Sequence, residues 1–355
     1  MAYSGTVGTT VVNVQELIDH AARRCGKLAE ELTSEQQLTA RQSLFYFLSG
    51  LINIGIQYWA IDKKVIGLTP DRYIYDLPLG ANDALNVLYR TLNRANGDYS
   101  SSTATTGNIA NIYDGNISTY CTQNSADGNF TVFYGTNNPI YIGSIGIMPA
   151  STGQWSLIYE WSQDNITWYP LADLGEIDVV DGEWIWTDIV QGSTALYYRV
   201  RGYNGTTLSV REWYLGNNSR EIQMSRLNRD DYTNLPNKNF TANQPYQFWF
   251  DRTIPVPKIY LWPTPSDAFI QMTVWYSRQI QDVGALTDEL EIPQRWFEAV
   301  IMNLAHRLSL ELPQVPMDRV QYLERMAIQY LSEVEQEERD KSPIYFAPNI
   351  SVYTK

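Results

Sequence analysis

The composition of this chain changes abruptly near residue 99 and again near residue 217, and this double change constrains the fold more than any other feature. Outside these points, helix-like apolar stripes alternate with short strand-like runs. Between them the sequence is rich in Gly, Asn, Thr and Trp, beginning NIANIYDGNISTYCT at 108–122. Short runs of β-forming residues separated by Gly and Asn turns are typical of all-β domains. We therefore predict a β-domain inserted into a loop of a host domain. The predicted divisions are a first host part (1–98), the insert (99–216), a second host part (217–340) and an extended tail (341–355).

The host is predicted to be α+β, with a small antiparallel sheet between helices. An apolar stripe at helical spacing begins after Asn13 and predicts a helix over about 13–25, and a second helix is predicted from about 33 to 55. Pro293 and Pro316 mark the starts of two later helices. Strands are predicted where β-forming runs end at prolines or turns, at 63–68, 72–78, 84–92, 246–252, 258–265 and 269–280.

The insert contains seven short runs rich in Val, Ile, Tyr, Trp and Thr, and this number of strands predicts a β-sandwich. The runs lie at 130–135, 140–148, 155–162, 167–172, 183–189, 195–203 and 208–215.

Charge and composition argue against several classes of function. The formal net charge is −13, whereas proteins that grip nucleic acid neutralise phosphates with Lys and Arg. An acidic wall is nevertheless compatible with DNA that slides past without sticking. Two cysteines and two histidines leave little material for disulfides, zinc or histidine catalysis. No apolar run reaches the length of a membrane span, and the first residues do not resemble a secretory signal.

The sequence contains no enzyme motif. Phosphate-binding glycine loops, HExxH and GxSxG are all absent from it. Adjacent acids such as Asp230 and Asp231 are explained by charged loops and helix starts. We therefore expect no enzymatic activity and no catalytic residue. A cell-wall hydrolase remains the least favoured alternative, because no acid–base pair can be identified.

The order of motifs in the insert resembles the discoidin (coagulation-factor C-type) jelly roll. The resemblance rests on DGNISTY (114–120), WSLIYEWSQDNITWYPL (155–171), YYRVRG (197–202) and SVREWYL (209–215). It implies a calcium site at the matching positions, which are Asp114, Asn116, Thr119 and Glu212. Oxygen ligands suit calcium, but Asp114 and Thr119 could equally bond the backbone of their own turn.

Trp184 and Trp186 are two residues apart and therefore share one face of a predicted strand. Core packing is the favoured reading of this pair. If that face is exposed, the pair could instead contact a glycan or another protein, as aromatic surfaces do.

The host segments, taken in order, resemble the head-to-tail adaptor of short-tailed bacteriophages, the tail accessory or tail tubular family. The resemblance rests on YIYDLP, SRLNRDDYTNLP, QPYQFWFDR with IYLWPTP, VWYSRQIQD and EIPQRWFEAVIMNLAHRLS, at 73–78, 225–236, 244–265, 274–282 and 291–309.

This resemblance implies a structural virion protein, made in the host cytoplasm and located in the phage neck. Members form a ring, usually of twelve copies, that binds the portal protein, extends the DNA channel and receives the tail nozzle. The insert departs from the minimal family pattern, and we expect it to face outward and contact a glycan, a tail fibre or another protein. The alternative is a carbohydrate-binding virion protein used in attachment to the host surface.

Overall fold

A computed structural model describes residues 11–53, 55, 58–94, 97–135, 139–189, 194–267 and 270–338. For residues 29, 58, 92–94 and 217–220 only the backbone is described. The tail predicted at 341–355 lies outside the described residues. In the part of the chain that is described, no helix is long and apolar enough to cross a membrane.

Five α-helices and twenty-one strands make up the described secondary structure. The helices are α1 (Val14–Cys25), α2 (Ser34–Leu51), α3 (Arg229–Thr233), α4 (Phe297–Glu311) and α5 (Met317–Glu337), with 3₁₀ turns at Ala29–Glu31, Tyr58–Ala60, Ile109–Ile112 and Gln294–Trp296. The first eleven strands are β1 (Ile61–Gly67), β2 (Ile74–Asp76), β3 (Ala81–Arg94), β4 (Asp98–Ser101), β5 (Thr105–Thr106), β6 (Cys121–Gln123), β7 (Asn129–Phe133), β8 (Ile140–Tyr141), β9 (Ser144–Pro149), β10 (Gly153–Ser162) and β11 (Tyr169–Val179). The remainder are β12 (Ile185–Asp188), β13 (Thr194–Ala195), β14 (Tyr197–Tyr203), β15 (Ser209–Gln223), β16 (Ser225–Leu227), β17 (Thr241–Ala242), β18 (Gln247–Asp251), β19 (Lys258–Trp262), β20 (Thr264–Pro265) and β21 (Ile270–Arg278).

The chain forms two compact units, one from residues 1–61 with 277–355 and the other from residues 62–276. The first unit contains α1, α2, α4 and α5. Helix α1 begins where the Asn13 side chain accepts from the Glu16 N–H, and it ends at Gly26 in the left-handed conformation. All six residues of its predicted apolar stripe are buried, namely Val14, Leu17, Ile18, Ala21, Ala22 and Cys25.

The core of this first unit forms where α1 packs on α4. Trp296 is fully buried just before α4, and its Nε1 donates to Glu338 Oε1 at 3.2 Å. Cys25 Sγ lies 3.1 Å from the carbonyl oxygen of Ala305, and burial raises the pKa of this thiol to about 11. A thiol held protonated in this way behaves as a packing group.

The second unit contains the strands β1 to β20, most of β21 and the short helix α3. Its largest sheet has eight strands, with the path β1-β21-β3-β15-β6-β5 and with β9 and β12 joined through β15. One strand, β15, pairs with β9 over residues 210–216 and with β3 over residues 216–223. The same strand therefore belongs to the sandwich of the predicted insert and to the sheet of the predicted host.

A five-stranded sheet in the order β11-β10-β14-β7-β4 faces the β9–β15 region across an apolar core. The alternation along β14, in which Tyr198 and Val200 are buried while Arg199 and Arg201 are not, sets which face points inward. A separate apolar cluster lies under β3, β18, β19 and β21. The fold is thus α+β, with a helical part, a small antiparallel sheet and an all-β jelly-roll sandwich, as the sequence predicted.

The sequence boundary predicted between residues 216 and 217 falls inside β15. Whether 99–216 folds as an independent domain stays a prediction.

Candidate functional site

A cleft of about 600 Å³ in the second unit borders the host-like strands β1 and β2 on one side and the insert strands β11 and β12 on the other. Trp184 and Trp186 line it, with ring centroids 4.7 Å apart and ring planes 24° apart. The two indoles therefore stack on each other. Both side chains are half-buried.

Two glycines allow Trp186 to pack where it does. A Cβ placed on Gly67 of β1 would lie 2.2 Å from Trp186 Nε1 and 2.4 Å from the Cβ of Trp184. A Cβ on Gly146 of β9 would lie 2.3 Å from the ring of Trp186. The ring of Trp186 is therefore packed against the backbone at both glycines, where there is no room for a side chain. It also meets the ring of Tyr214 edge-on, with the ring centroids 5.2 Å apart.

A charged cluster lies at the end of the same strand. Asp188 accepts hydrogen bonds from Lys63 Nζ and from Arg90 Nη1, both at 2.8 Å. Arg90, whose side chain is 5% exposed, also donates from Nε to Glu221. Burial alone would raise the pKa of Asp188, but the hydrogen bonds from Lys63 and Arg90 outweigh it and hold the pKa below its usual value. This cluster ties β12 to β1, β3 and β15.

The residues predicted as calcium ligands form a closed turn. Asp114 accepts from the Asn116 N–H at 2.8 Å and from the Thr119 hydroxyl at 2.9 Å, and that hydroxyl also lies 2.8 Å from the Asn116 carbonyl. Three residues thus bring a carboxylate, a carbonyl and a hydroxyl together. The donor set consists of hard oxygens, which fits calcium, and the same contacts complete the turn without any ion.

Glu212, the fourth predicted ligand, is fully buried on β15. A carboxylate removed from water is costly unless a counter-charge or hydrogen bonds compensate it. Its neighbour Arg211 donates to the Ile117 carbonyl at 3.0 Å, which places this part of β15 against the predicted calcium turn. Among the described residues, no group of three or more His, Cys, Asp or Glu side chains is arranged to hold a metal.

Sequence reasoning missed the charged cluster around Asp188 and the role of Gly67. A signal for the first was present, because Trp184, Trp186 and Asp188 follow each other at a spacing of two and must share one strand face. No sequence pattern connects Arg90 or Lys63 to that face, since the contacts span 98 and 125 residues of chain.

The described residues thus form a helical unit and a large β-unit, and in the β-unit the cleft borders strands of three different sheets. A family model described as the SU10 adaptor protein matches residues 167–350, just over half of the chain. The chain therefore belongs to the SU10 adaptor family, a family of structural bacteriophage adaptors. The match begins inside the predicted insert and covers the whole second host part. Among the curated proteins compared with this chain, none matches.

About a third of the chain is similar to carbohydrate-binding modules of known structure. A pectin-binding module is 18% identical, with 35% of this chain and 94% of the module aligned and a TM-score of 0.30. The CBM32 module of AlyQ, solved with 4,5-unsaturated mannuronic acid, is also 18% identical, over 34% of this chain and 96% of the module, with a TM-score of 0.30. A CBM32 module from Clostridium perfringens, solved with GalNAc-β-1,3-galactose, is 12% identical over 34% and 94%, with a TM-score of 0.30.

Proposed function

We propose that this protein is a head-to-tail adaptor of a short-tailed bacteriophage, assembling into a ring, most simply of twelve copies, between the portal and the tail nozzle. The family match over 167–350 carries this proposal. In such a ring the protein extends the DNA channel, and its formal charge of −13 disfavours adhesion of the passing DNA.

Exposed apolar side chains on the helical unit support an assembling role. Tyr46 on α2 and Leu310 on α4 are 61% and 67% exposed, and both border a shallow groove between these helices. Exposed apolar groups that cluster in this way are typical of protein contact surfaces. We assign this groove to ring closure.

Electron microscopy of the protein mixed with its portal tests the proposal. We expect rings with the wild-type chain and none with the double variant Tyr46→Ser, Leu310→Ser. The matched control is Leu28→Ser, which changes a 61% exposed leucine elsewhere on the same unit and should leave rings intact. Persistent absence of wild-type rings would overturn the ring proposal, and normal rings from the double variant would overturn the assignment of the groove.

The insert is proposed to supply a contact surface for a protein or for a glycan, with Trp184 and Trp186 as the contact residues. Their position in the cleft beside β1 supports this role. A glycan array with the full chain, compared with a Trp184→Ala variant, tests the glycan form.

Calcium is proposed to stabilise the turn formed by Asp114, Asn116 and Thr119, together with Glu212. It would bind the oxygen atoms of these residues and would carry no chemistry.

A further inference from the structure

The walls of the 600 Å³ cleft come from four strands that each end a sheet. β1 ends the path of the eight-stranded sheet, β2 ends the four-stranded sheet β16-β18-β19-β2, and β11 ends the five-stranded sheet. β12 pairs only with β9. Among the described strands, none pairs with the second edge of any of these four.

A strand at the end of a sheet carries a row of backbone N–H and C=O groups that no neighbouring strand satisfies, and such an edge is a template for an added strand. Natural proteins cover or charge these edges, and here Lys64, Asp178 and Glu183 stand at the cleft. Adding an extended segment by strand pairing is an established mode of peptide recognition, in which the backbone provides affinity and side-chain pockets provide specificity.

The cleft is formed in advance of any ligand. The Tyr75 hydroxyl accepts from the Thr69 N–H at 2.9 Å and lies 3.0 Å from the Arg72 carbonyl, which fixes the turn between β1 and β2. On the opposite side, the Trp184–Trp186 stack is locked by the close approach of Gly67. A rigid site spends little of its binding free energy on ordering itself.

We propose that the cleft receives the segment 341–355 of a second copy of this chain by strand addition. This rests on the proposed ring, in which copies stand side by side. The segment, KSPIYFAPNISVYTK, contains the run NISVYT, in which Ile350 and Val352 alternate with Ser351 and Tyr353 as in a half-buried strand. Its tyrosines, phenylalanine and prolines suit contact with stacked indoles.

Charge favours the same occupant. Segment 341–355 carries two lysines and no acid. The cleft carries Asp76, Asp178 and Glu183 against Lys64 and Arg72, and Arg72 already lies 3.7 Å from Glu183. An acidic peptide or an anionic glycan would meet this surplus of carboxylates unfavourably.

Binding of a fluorescent peptide of residues 341–355 tests the proposal. The receptor is the full chain carrying Ile350→Asp and Val352→Asp, so that its own segment does not compete. We expect saturable binding, followed by anisotropy, and slower amide hydrogen exchange over residues 64–67 and 185–186. Trp184→Ala in the receptor should weaken binding at least tenfold. Trp275→Ala, at a 41% exposed tryptophan outside the cleft, should not.

Two proline peptides separate strand addition from simple apolar contact. N–H groups of adjacent residues point to opposite sides of a strand, so either Ser351→Pro or Val352→Pro must remove a ladder bond. We expect one of the two to weaken binding at least tenfold relative to its alanine counterpart. The proposal is overturned if neither proline peptide binds more weakly than its alanine counterpart. It is also overturned if binding is insensitive to Trp184→Ala and hydrogen exchange at 64–67 is unchanged.

Binding of a saccharide to the chain without binding of the peptide would assign the cleft to a glycan and would also overturn the proposal. The peptide assay needs no portal and no ring. If the peptide does not bind but rings form normally, only the assignment of the cleft is rejected. If the peptide binds but no rings form, the ring proposal is rejected.

Discussion

Replacing Asp188 by Asn should destabilise the β-unit by about 2 kcal/mol. The substitution keeps the size of the side chain but removes the charge that receives hydrogen bonds from Lys63 and Arg90. Hydrogen bonds to charged groups contribute about 1.5–3 kcal/mol each. The Asp188 and Lys63 side chains are 26% and 31% exposed, so solvent screens most of the interaction between them. The loss of stability therefore comes mainly from the hydrogen bond with Arg90, whose side chain is 5% exposed. In a unit of this size, this corresponds to a fall in Tm of about 4–8 °C.

The matched control is Glu183→Gln, which removes the same charge from an exposed ion pair near the start of the same strand. The Glu183 and Arg72 side chains are 55% and 43% exposed and 3.7 Å apart, so this change should cost less than about 0.5 kcal/mol. Thermal unfolding monitored by near-ultraviolet circular dichroism measures both variants. Equal effects of the two substitutions would refute the reasoning.

The effect of Asp188→Asn should depend on pH with a defined sign. The pKa of Asp188 is lower in the folded protein than the value of about 3.9 expected for an unfolded chain. Its contribution to stability is therefore fully present above that unfolded value and is lost as the pH falls through the folded pKa. The difference in Tm between wild type and variant should be constant from pH 6 to 8 and should shrink as the pH falls below about 4. A difference that stays constant down to acid pH would contradict the assignment.

Three further predictions concern packing, excision and calcium. Gly67→Ala should cost about 1–3 kcal/mol because its Cβ meets two indoles, whereas Gly153→Ala, with open space at its Cβ, should be nearly neutral by the same thermal assay. Arg94 and Gly216 are cross-strand partners, so replacing 95–215 by Asn-Gly should close a β3–β15 hairpin and leave a folded chain, and an unfolded product by circular dichroism would contradict the predicted host and insert. Adding millimolar calcium should raise the Tm of the wild type but not that of Asp114→Ala, and equal shifts in both would rule out the predicted site.

The sequence predicted helix α1 completely because one face carries all of its packing. In α2 an apolar pattern is a less accurate guide to burial, since Leu38 is 53% exposed while Ala40 and Ser43 are buried. Small residues at buried positions carry little signal in an apolar pattern. Leu38 lies on an exposed surface, where single apolar residues are common.

The seven predicted runs of the insert all contain strands, because alternation and turn residues are local, whereas β4, β5 and β6 were not predicted. The continuity of β15 across the predicted boundary at 216 and 217 was not predictable. Its two halves pair with strands far apart in sequence, and its composition changes at the boundary. The candidate site shows the same limit. The stack of Trp184 on Trp186 follows from their spacing, whereas its burial depends on Gly67, whose approach only the tertiary fold creates.

The continuity of β15, which pairs with β9 in its first part and with β3 in its second, has a mechanical consequence. A load applied to the sandwich along this strand enters the β3–β15 ladder parallel to the strand axis, so its hydrogen bonds are strained in shear and share the load. A sandwich tethered by flexible linkers would pass on no torque. Because β15 is one continuous strand, a force on its sandwich part would reach its pairing with β3 in the same eight-stranded sheet.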